Sequence, residues 1–286
     1  MTPRDDILSR VREVPALPAA AIEAIELAQD PDVSADRLCR AIEIDPGLTS
    51  SVLSMANSVH FRGVGEITSV RDAIVRLGGK TMFHLVVASA VAPVARQEIV
   101  GYELPPGELL KHAVCVGVGA EVLAEALGIG APPHTFTSGV LHDLGKIVMG
   151  TYLEIDSEPI RHLAFDEGLS FEVAEGRILG VDHAEVGSAL LESWSIPRGI
   201  VEVVRWHHQP ERFPGEDTLA VDLVHVANII ARMGGLGLGT EGLNYAPSLP
   251  VVKRLRITTQ VAEKVVNKIL SGWDRLAEEL HSRVEG

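Results

Sequence analysis

Apolar residues recur at intervals of three and four along this chain from Ile7 onward, and this spacing constrains the fold more than any other feature. Such spacing places side chains on one face of an α-helix, whereas a half-buried strand needs strict alternation. β-branched residues rarely alternate with polar ones here, and aromatic residues are only 4% of the sequence. The pattern therefore predicts an all-α fold.

Residues that begin helices support this prediction. Ser34 and Ser69 can each N-cap a helix, and Asp45-Pro46 is an N-cap followed by proline in the first turn. We expect a long helix over residues 80–97 and an amphipathic helix over residues 258–280. Asn57 is interpreted as a structural helix end.

The prolines Pro105-Pro106 interrupt the helical pattern and predict an internal boundary. We expect an N-terminal helical part over residues 1–105, a helical core over residues 106–240, and a C-terminal loop and helix over residues 241–286.

The composition limits the classes of partner that the chain is expected to bind. The formal charge is −14 and no basic stripe is evident, so nucleic acid is not expected as a partner. Charged residues break each apolar run before the roughly 20 residues of a membrane span, and the N-terminal stretch lacks the pattern of a signal peptide. We expect a cytoplasmic protein without a membrane partner, in which Cys39 and Cys115 are buried, reduced thiols.

The segment 136–148 carries the strongest chemical signal, because it is apolar on most of its helical circumference yet contains His142-Asp143. A buried, ionised aspartate needs compensation, and a cation is a simple form of it. Gly139 and Gly145 each disfavour a helix by about 1 kcal/mol relative to alanine. They indicate that another part of the chain approaches this helix closely.

Four further histidines stand at predicted helix starts and ends: His112, His183, His207 and His208. Imidazoles with a carboxylate are typical ligands of Fe, Mn, Ni or Zn. Three acids near these segments could join the site: Glu103, Glu108 and Asp222. The remaining histidines are interpreted as surface or core residues: His60, His84, His134, His162, His225 and His281.

The order of these residues resembles the HD superfamily of metal-dependent phosphohydrolases. The positions that match one by one are His112, His142, Asp143, His183, His207 and His208. In the HD-GYP branch, the cyclic-di-GMP phosphodiesterases, this order supports two or three metals with the aspartate as a bridge. If the chain is an enzyme, Lys146 is our candidate for a phosphate contact, and its alternative interpretation is a lysine that snorkels to solvent.

Two positions depart from that pattern. The last family ligand is an aspartate, and it falls on Asn228, a neutral and weaker ligand. The Gly-Tyr-Pro signature after the His-His pair is absent, since the chain continues Gln209-Pro210. We therefore expect the site to hold one metal more securely than two.

Other stretches resemble the HDOD family, the HD-related output domains of bacterial signalling proteins. They extend from about Pro15 to Asn228 and include Pro15-Ala16-Leu17-Pro18, 42–49, 56–58, 69–78, 182–187, 194–197 and 207–210. The resemblance implies a multi-helix bundle, with an N-terminal helical subdomain beside an HD-like core, and a role in signal transduction.

Three interpretations remain open. The chain can be a regulatory module that binds a signalling protein or a small phosphorylated, nucleotide-like ligand. It can be a metal-dependent phosphohydrolase, a phosphodiesterase on a small nucleotide-like substrate, with Asp143 and Lys146 in the reaction and one or two metal ions. The histidines can also simply hydrogen-bond within a packed core.

Overall fold

The computed structural model of the chain describes residues 2–27, 33–57, 66–153, 157–236, 239 and 245–281, with side chains up to residue 270. Within these residues the regular structure is helical and contains no β-strand, so the all-α prediction is confirmed. The α-helices are α1 Pro3–Arg10, α2 Ala19–Leu27, α3 Ala35–Glu43, α4 Pro46–Ala56, α5 Val70–Leu77, α6 Gly79–Ala95, α7 Glu108–Leu127, α8 Thr135–Leu141, α9 Gly145–Leu153, α10 Glu158–Glu167, α11 Phe171–Leu179, α12 His183–Ser193, α13 Arg198–Trp206, α14 Leu219–Met233, α15 Leu249–Leu255 and α16 Thr259–His281.

The chain divides into two compact units. One comprises residues 16–93 and 269–286, where α3 packs against α2, α4 and α5. Ser34, Asp45 and Ser69 each accept a backbone N–H as the N-caps of α3, α4 and α5. Asn57 ends α4, and its side chain donates to the carbonyl of Ile67 and accepts from the Ile67 N–H, both at 2.6 Å. These local predictions are confirmed.

The other unit comprises residues 1–15 and 94–268. Its α7 packs against α8 and α14, and its α12 packs against α9 and α13. Both cysteines of the chain are free and buried, as expected: Cys39 in the first unit and Cys115 on α7. No helix in the described parts of either unit has the length and hydropathy to cross a bilayer.

Two glycines let the helices of this second unit approach at backbone distance. A Cβ atom added at Gly139 would lie 2.6 Å from the Cα of Gly117 on α7. A Cβ added at Gly145 would lie 1.9 Å from the carbonyl oxygen of His183 and 2.5 Å from the nitrogen of Gly187, both on α12. The close approach predicted from these glycines is confirmed, and it brings α7 and α12 to the segment that carries Asp143.

The prediction of one helix over residues 136–148 is wrong, because α8 ends at Leu141 and α9 begins at Gly145. The ring of His142 contacts the carbonyl oxygen of Gly139 at 2.7 Å, the oxygen that a continuing helix would pair with the N–H of Asp143. The intervening backbone closes three-residue turns instead. This turn places His142 and Asp143 between two helices rather than along one.

Candidate metal centre

Asp143 lies in the turn between α8 and α9 with 1% of its surface exposed. The predicted histidines reach it from α7, from the same turn, from the start of α12 and from the end of α13. Their side chains form two groups that share Asp143, and within each group the potential ligand atoms lie within 4.8 Å of one another. The first group is Asp143, His183, His207 and His208, and the second is His112, His142 and Asp143.

The first group surrounds Oδ1 of Asp143. The Nε2 atom of His183 lies 3.4 Å from this oxygen, and that of His207 lies 3.7 Å away. His208 completes the group, with its Nε2 2.8 Å from Nε2 of His183.

The second group surrounds Oδ2 of the same carboxylate. The Nε2 atoms of His142 and His112 lie 3.3 and 3.6 Å from it. Asn228, on α14, is brought to this side as well, with its Oδ1 3.1 Å from Nε2 of His112. All six residues of the HD order and the position of the missing aspartate therefore meet at one carboxylate.

Backbone carbonyls fix the orientation of three of these rings, and for His112 the carbonyl oxygen of Leu236 lies 3.1 Å from Nδ1. The carbonyl oxygens of Gly139 and Val204 lie 2.7 Å from the Nδ1 atoms of His142 and His207. Because a carbonyl only accepts, each Nδ1 carries a proton, and the Nε2 atom of each ring faces Asp143. This is the orientation of imidazoles that bind metals.

Glu175, on α11, orients His183 in the same way and was missed from sequence. Its Oε2 accepts from Nδ1 of His183 at 2.8 Å and from the backbone N–H at 2.9 Å, and its Oε1 accepts from the hydroxyl of Tyr102. Although burial lowers the pKa of His183, the charge of Glu175 raises it well above its usual value. The only signal in the sequence is an acid on an apolar helix eight residues before the histidine.

Three buried atoms at the centre lack a hydrogen-bond partner among the described residues: Nε2 of His142, Nε2 of His207 and Oδ1 of Asp143. In a neutral ring whose Nδ1 is protonated, Nε2 is an acceptor like the carboxylate oxygen, so none of the three can satisfy another. Unpaired acceptors are unfavourable in a dry interior. A cation in the first group that accepts the lone pairs of His207 and of Oδ1 removes two of these three deficits, so the donor set fits a divalent transition metal.

The charge states agree with such a site. Burial lowers the pKa of His207 and of His208 well below the usual value, and neighbouring imidazoles lower it further. Burial acts to raise the pKa of Asp143, but the charges of His142 and Lys146 hold it well below its usual range. At neutral pH the centre therefore presents an ionised carboxylate and neutral rings at His207 and His208, which is the state that metals bind, whereas His183 carries a proton that a bound metal would displace.

Two protein cations also reach Asp143, both on its Oδ2 side. The ammonium of Lys146 donates to Oδ2 at 2.6 Å, and because this side chain is 1% exposed it does not snorkel to solvent. The guanidinium of Arg232, on α14, lies 3.8 Å from the same oxygen and is also 1% exposed. Sequence reasoning missed Arg232, although it is a charged residue in an apolar helix one turn after Asn228.

A surface cleft of about 520 Å³ reaches the first group through His208, whose side chain is only half-buried. The cleft is lined by Glu172, Arg177, Asp182 and Arg212, among others. A small ligand with acidic and basic contacts can therefore approach the side of the centre that carries Oδ1.

The three acids that were candidates to join the site lie in ion pairs elsewhere, namely Glu103 with Arg161, Glu108 with Lys111 and Asp222 with Arg254. Of the other histidines, His225 fits the core interpretation. Its Nδ1 donates to the carbonyl of His207 at 2.7 Å, and its Nε2 accepts from the N–H of Ser248. His162 is exposed. His60 and the side chain of His281 lie outside the described residues.

Comparison with known proteins agrees with this geometry. The sequence pattern of the HDOD domain matches residues 14–210. The structure is similar to an HDOD domain protein of unknown function from Geobacter sulfurreducens, with a TM-score of 0.66 and 24% identity over 98% of this chain and 95% of that one. It is also similar to a candidate signal transduction protein from Marinobacter aquaeolei, with a TM-score of 0.74 and 21% identity over 97% of this chain and 60% of the other.

A candidate phosphohydrolase from Shewanella amazonensis shares the fold as well, with a TM-score of 0.59 and 24% identity over 92% of this chain and 97% of the other. An uncharacterised protein of Treponema pallidum is 24% identical over 79% of this chain, which spans only 44% of that relative.

Proposed function

The chain belongs to the HDOD domain family, and on this basis we propose that it is a bacterial signal-transduction module whose helical core binds a divalent transition metal at Asp143. The observation that carries the proposal is the set of buried acceptors without a donor at Nε2 of His142, Nε2 of His207 and Oδ1 of Asp143. A centre in which the histidines only hydrogen-bonded within the core would supply a donor to these atoms. The donor set of imidazole nitrogens and one carboxylate suits Fe, Mn, Ni or Zn.

The residues of this chain have separable roles in such a centre. His183, His207, His208 and Asp143 would hold the metal, which when bound would supply a Lewis acid for a phosphoryl oxygen. Glu175 keeps His183 in the tautomer that a metal ligand needs.

The ligand that this module senses would enter by the cleft at His208. A small phosphorylated or nucleotide-like molecule fits the position, because its anionic end would meet the centre while the arginines and acids of the cleft offer hydrogen bonds to the remainder. A signalling protein would respond to the module when this ligand is bound.

A second candidate function is a metal-dependent phosphohydrolase acting on a small phosphodiester. It is favoured by the cleft, since a substrate can reach the half-buried His208 from outside. It is disfavoured by Lys146, whose ammonium is committed to Asp143 at 2.6 Å instead of being free to contact a phosphate.

Metal content of protein purified without chelators tests the proposal. Native protein should carry stoichiometric metal by elemental analysis, and Asp143→Ala should lose it because the shared carboxylate is gone. His162→Ala is the matched control, since this exposed histidine on α10 lies outside the centre. Metal-free native protein, even after anaerobic reloading, would refute the proposal.

Turnover then separates the two candidate functions. Metal-loaded native protein is assayed with a generic phosphodiester reporter beside Asp143→Ala. Metal without turnover supports the regulatory module, whereas turnover that disappears together with the metal supports the phosphohydrolase.

A further inference from the structure

The two oxygens of Asp143 have different electrostatic partners, and this difference bears on how many ions the proposed metal centre can hold. Oδ2 receives a hydrogen bond from Lys146 and faces the guanidinium of Arg232. Oδ1 faces His183 and His207 and has no donor among the described residues. The lysine and the arginine that reach the carboxylate thus both lie on its Oδ2 side, whereas the Oδ1 side is lined by histidines that can serve as metal ligands.

Arg232 is held in place on several sides. Its Nε donates to Oδ1 of Asn228 at 3.2 Å, its Nη2 lies 3.8 Å from Oδ2 of Asp143, and its guanidinium carbon lies 4.3 Å from the centre of the Tyr245 ring. With 1% exposure it cannot turn to solvent without displacing its neighbours. An arginine does not lose its proton in proteins, so this positive charge is permanent.

Asn228 connects this arginine to the second ligand group. Its Oδ1 contacts Nε2 of His112 and Nε of Arg232. An aspartate at this position would add a negative charge and pair with the arginine or with a metal. The neutral amide adds no charge, so it does not neutralise the guanidinium, and the positive charge of Arg232 acts on Asp143.

We propose that Arg232, with Asn228, is the determinant of metal stoichiometry: its fixed charge fills the half of the centre formed by His112 and His142, so that only the Oδ1 half binds a metal. The inference rests on the proposed function and goes beyond it, because it assigns the ion to one half and the protein's own cation to the other. A divalent ion in the Oδ2 half would be repelled by both Arg232 and Lys146 in a buried environment, where such repulsion is strong.

The charge balance suggests a compensated variant. Asn228→Asp adds one negative charge and Arg232→Gln removes one positive charge, and together they offset the charge of one divalent ion. The double variant also restores the aspartate found at this position in the HD pattern. It should therefore accept a second ion, which is measured by titrating metal-stripped protein with Zn²⁺ or Mn²⁺ and counting bound ions after gel filtration.

Native protein should bind one ion per chain and the double variant two. Arg232→Lys in the native background is the control, because it keeps the positive charge and should still bind one. Two ions in native protein, or one in a double variant with a native circular dichroism spectrum, would overturn the inference and leave the proposed function standing. If neither the native protein nor any variant binds an ion, both this inference and the proposed function are refuted.

A second comparison does not depend on the double variant folding. In the native background, His208→Gln should weaken binding of the single ion at least about tenfold, because it removes a ligand of the Oδ1 half. His112→Gln should leave the affinity within about threefold, because the proposal places no ion in the group that contains His112. A larger loss from His112→Gln would place the ion in the other half, and equal losses would mean that the ion depends on both halves; either result would overturn the assignment.

Discussion

The contact between Gly145 and α12 gives the sharpest prediction about how the fold builds the centre. A Cβ atom at residue 145 would lie 1.9 Å from the carbonyl oxygen of His183, more than 1 Å inside ordinary van der Waals contact. The atoms it meets are backbone, including the nitrogen of Gly187 at 2.5 Å, so no side chain can rotate to make room. Gly145→Ala must therefore push α12 away from α9.

The expected effect is a large loss of stability. Overpacking in a core typically destabilises by 1–3 kcal/mol, and a collision between two backbones belongs near the upper end. Replacing glycine by alanine in a helix returns up to about 1 kcal/mol. We expect Gly145→Ala to lower the free energy of unfolding by about 2 kcal/mol or more. Because α12 begins at His183, metal affinity should fall at least about tenfold as well.

Gly176→Ala is the matched control. Gly176 lies inside α11, and apart from the backbone of its own helix no described heavy atom lies within 4 Å of an added Cβ. This variant should gain about 0.5–1 kcal/mol from helix propensity alone. Urea titration monitored by circular dichroism measures both changes on metal-stripped protein. A Gly145→Ala variant within 0.5 kcal/mol of native, or as stable as Gly176→Ala, would refute the close contact.

Three further predictions concern buried polar groups and thiols. Burial raises the pKa of Glu172 above 4.5, so its contribution to stability is full below pH 4.5 and declines as the pH rises through the pKa of the folded state. Glu172→Gln should therefore become more stable relative to native protein as the pH rises above 4.5, which urea titrations at several pH values measure. A stability difference that stays constant with pH would contradict this. Tyr102→Phe removes the hydroxyl that donates to Glu175 and should weaken metal binding about tenfold by calorimetric titration, whereas unchanged affinity would show that Glu175 does not need it. Burial raises the pKa of Cys115 to about 12, so a thiol reagent at pH 8 should modify it only when the protein unfolds; rapid labelling of native protein would contradict that burial.

The parts of the fold that depend on neighbouring residues in sequence could be predicted. Ser34 and Ser69 N-cap their helices as expected because an N-cap bonds a backbone N–H three residues away. The order of the histidines likewise identified the side chains that meet at Asp143. Gly139 and Gly145 predicted close helix contacts, because glycine is unfavourable in a helix unless another segment packs closely against it. The sequence did not identify which helices approach.

The remaining features depend on tertiary contacts. The break of the helix at residues 142–144 follows from a ring-to-carbonyl contact that no periodicity encodes. Glu175 and Arg232 lie far in sequence from Asp143, and the pattern of each helix alone does not show that its charged residue reaches this carboxylate. A search for buried charges on the same helix face as a known ligand would have found Arg232, which follows Asn228 by one turn.

The position of the bound ion tests the central claim most directly. Crystals of metal-loaded native protein, measured at the absorption edge of the metal, give an anomalous difference map that locates each ion. We predict a single peak beside Oδ1 of Asp143, among His183, His207 and His208, and none on the side of Arg232. Peaks on both sides of the carboxylate, or no peak at Asp143 in protein that carries metal elsewhere, would contradict the account.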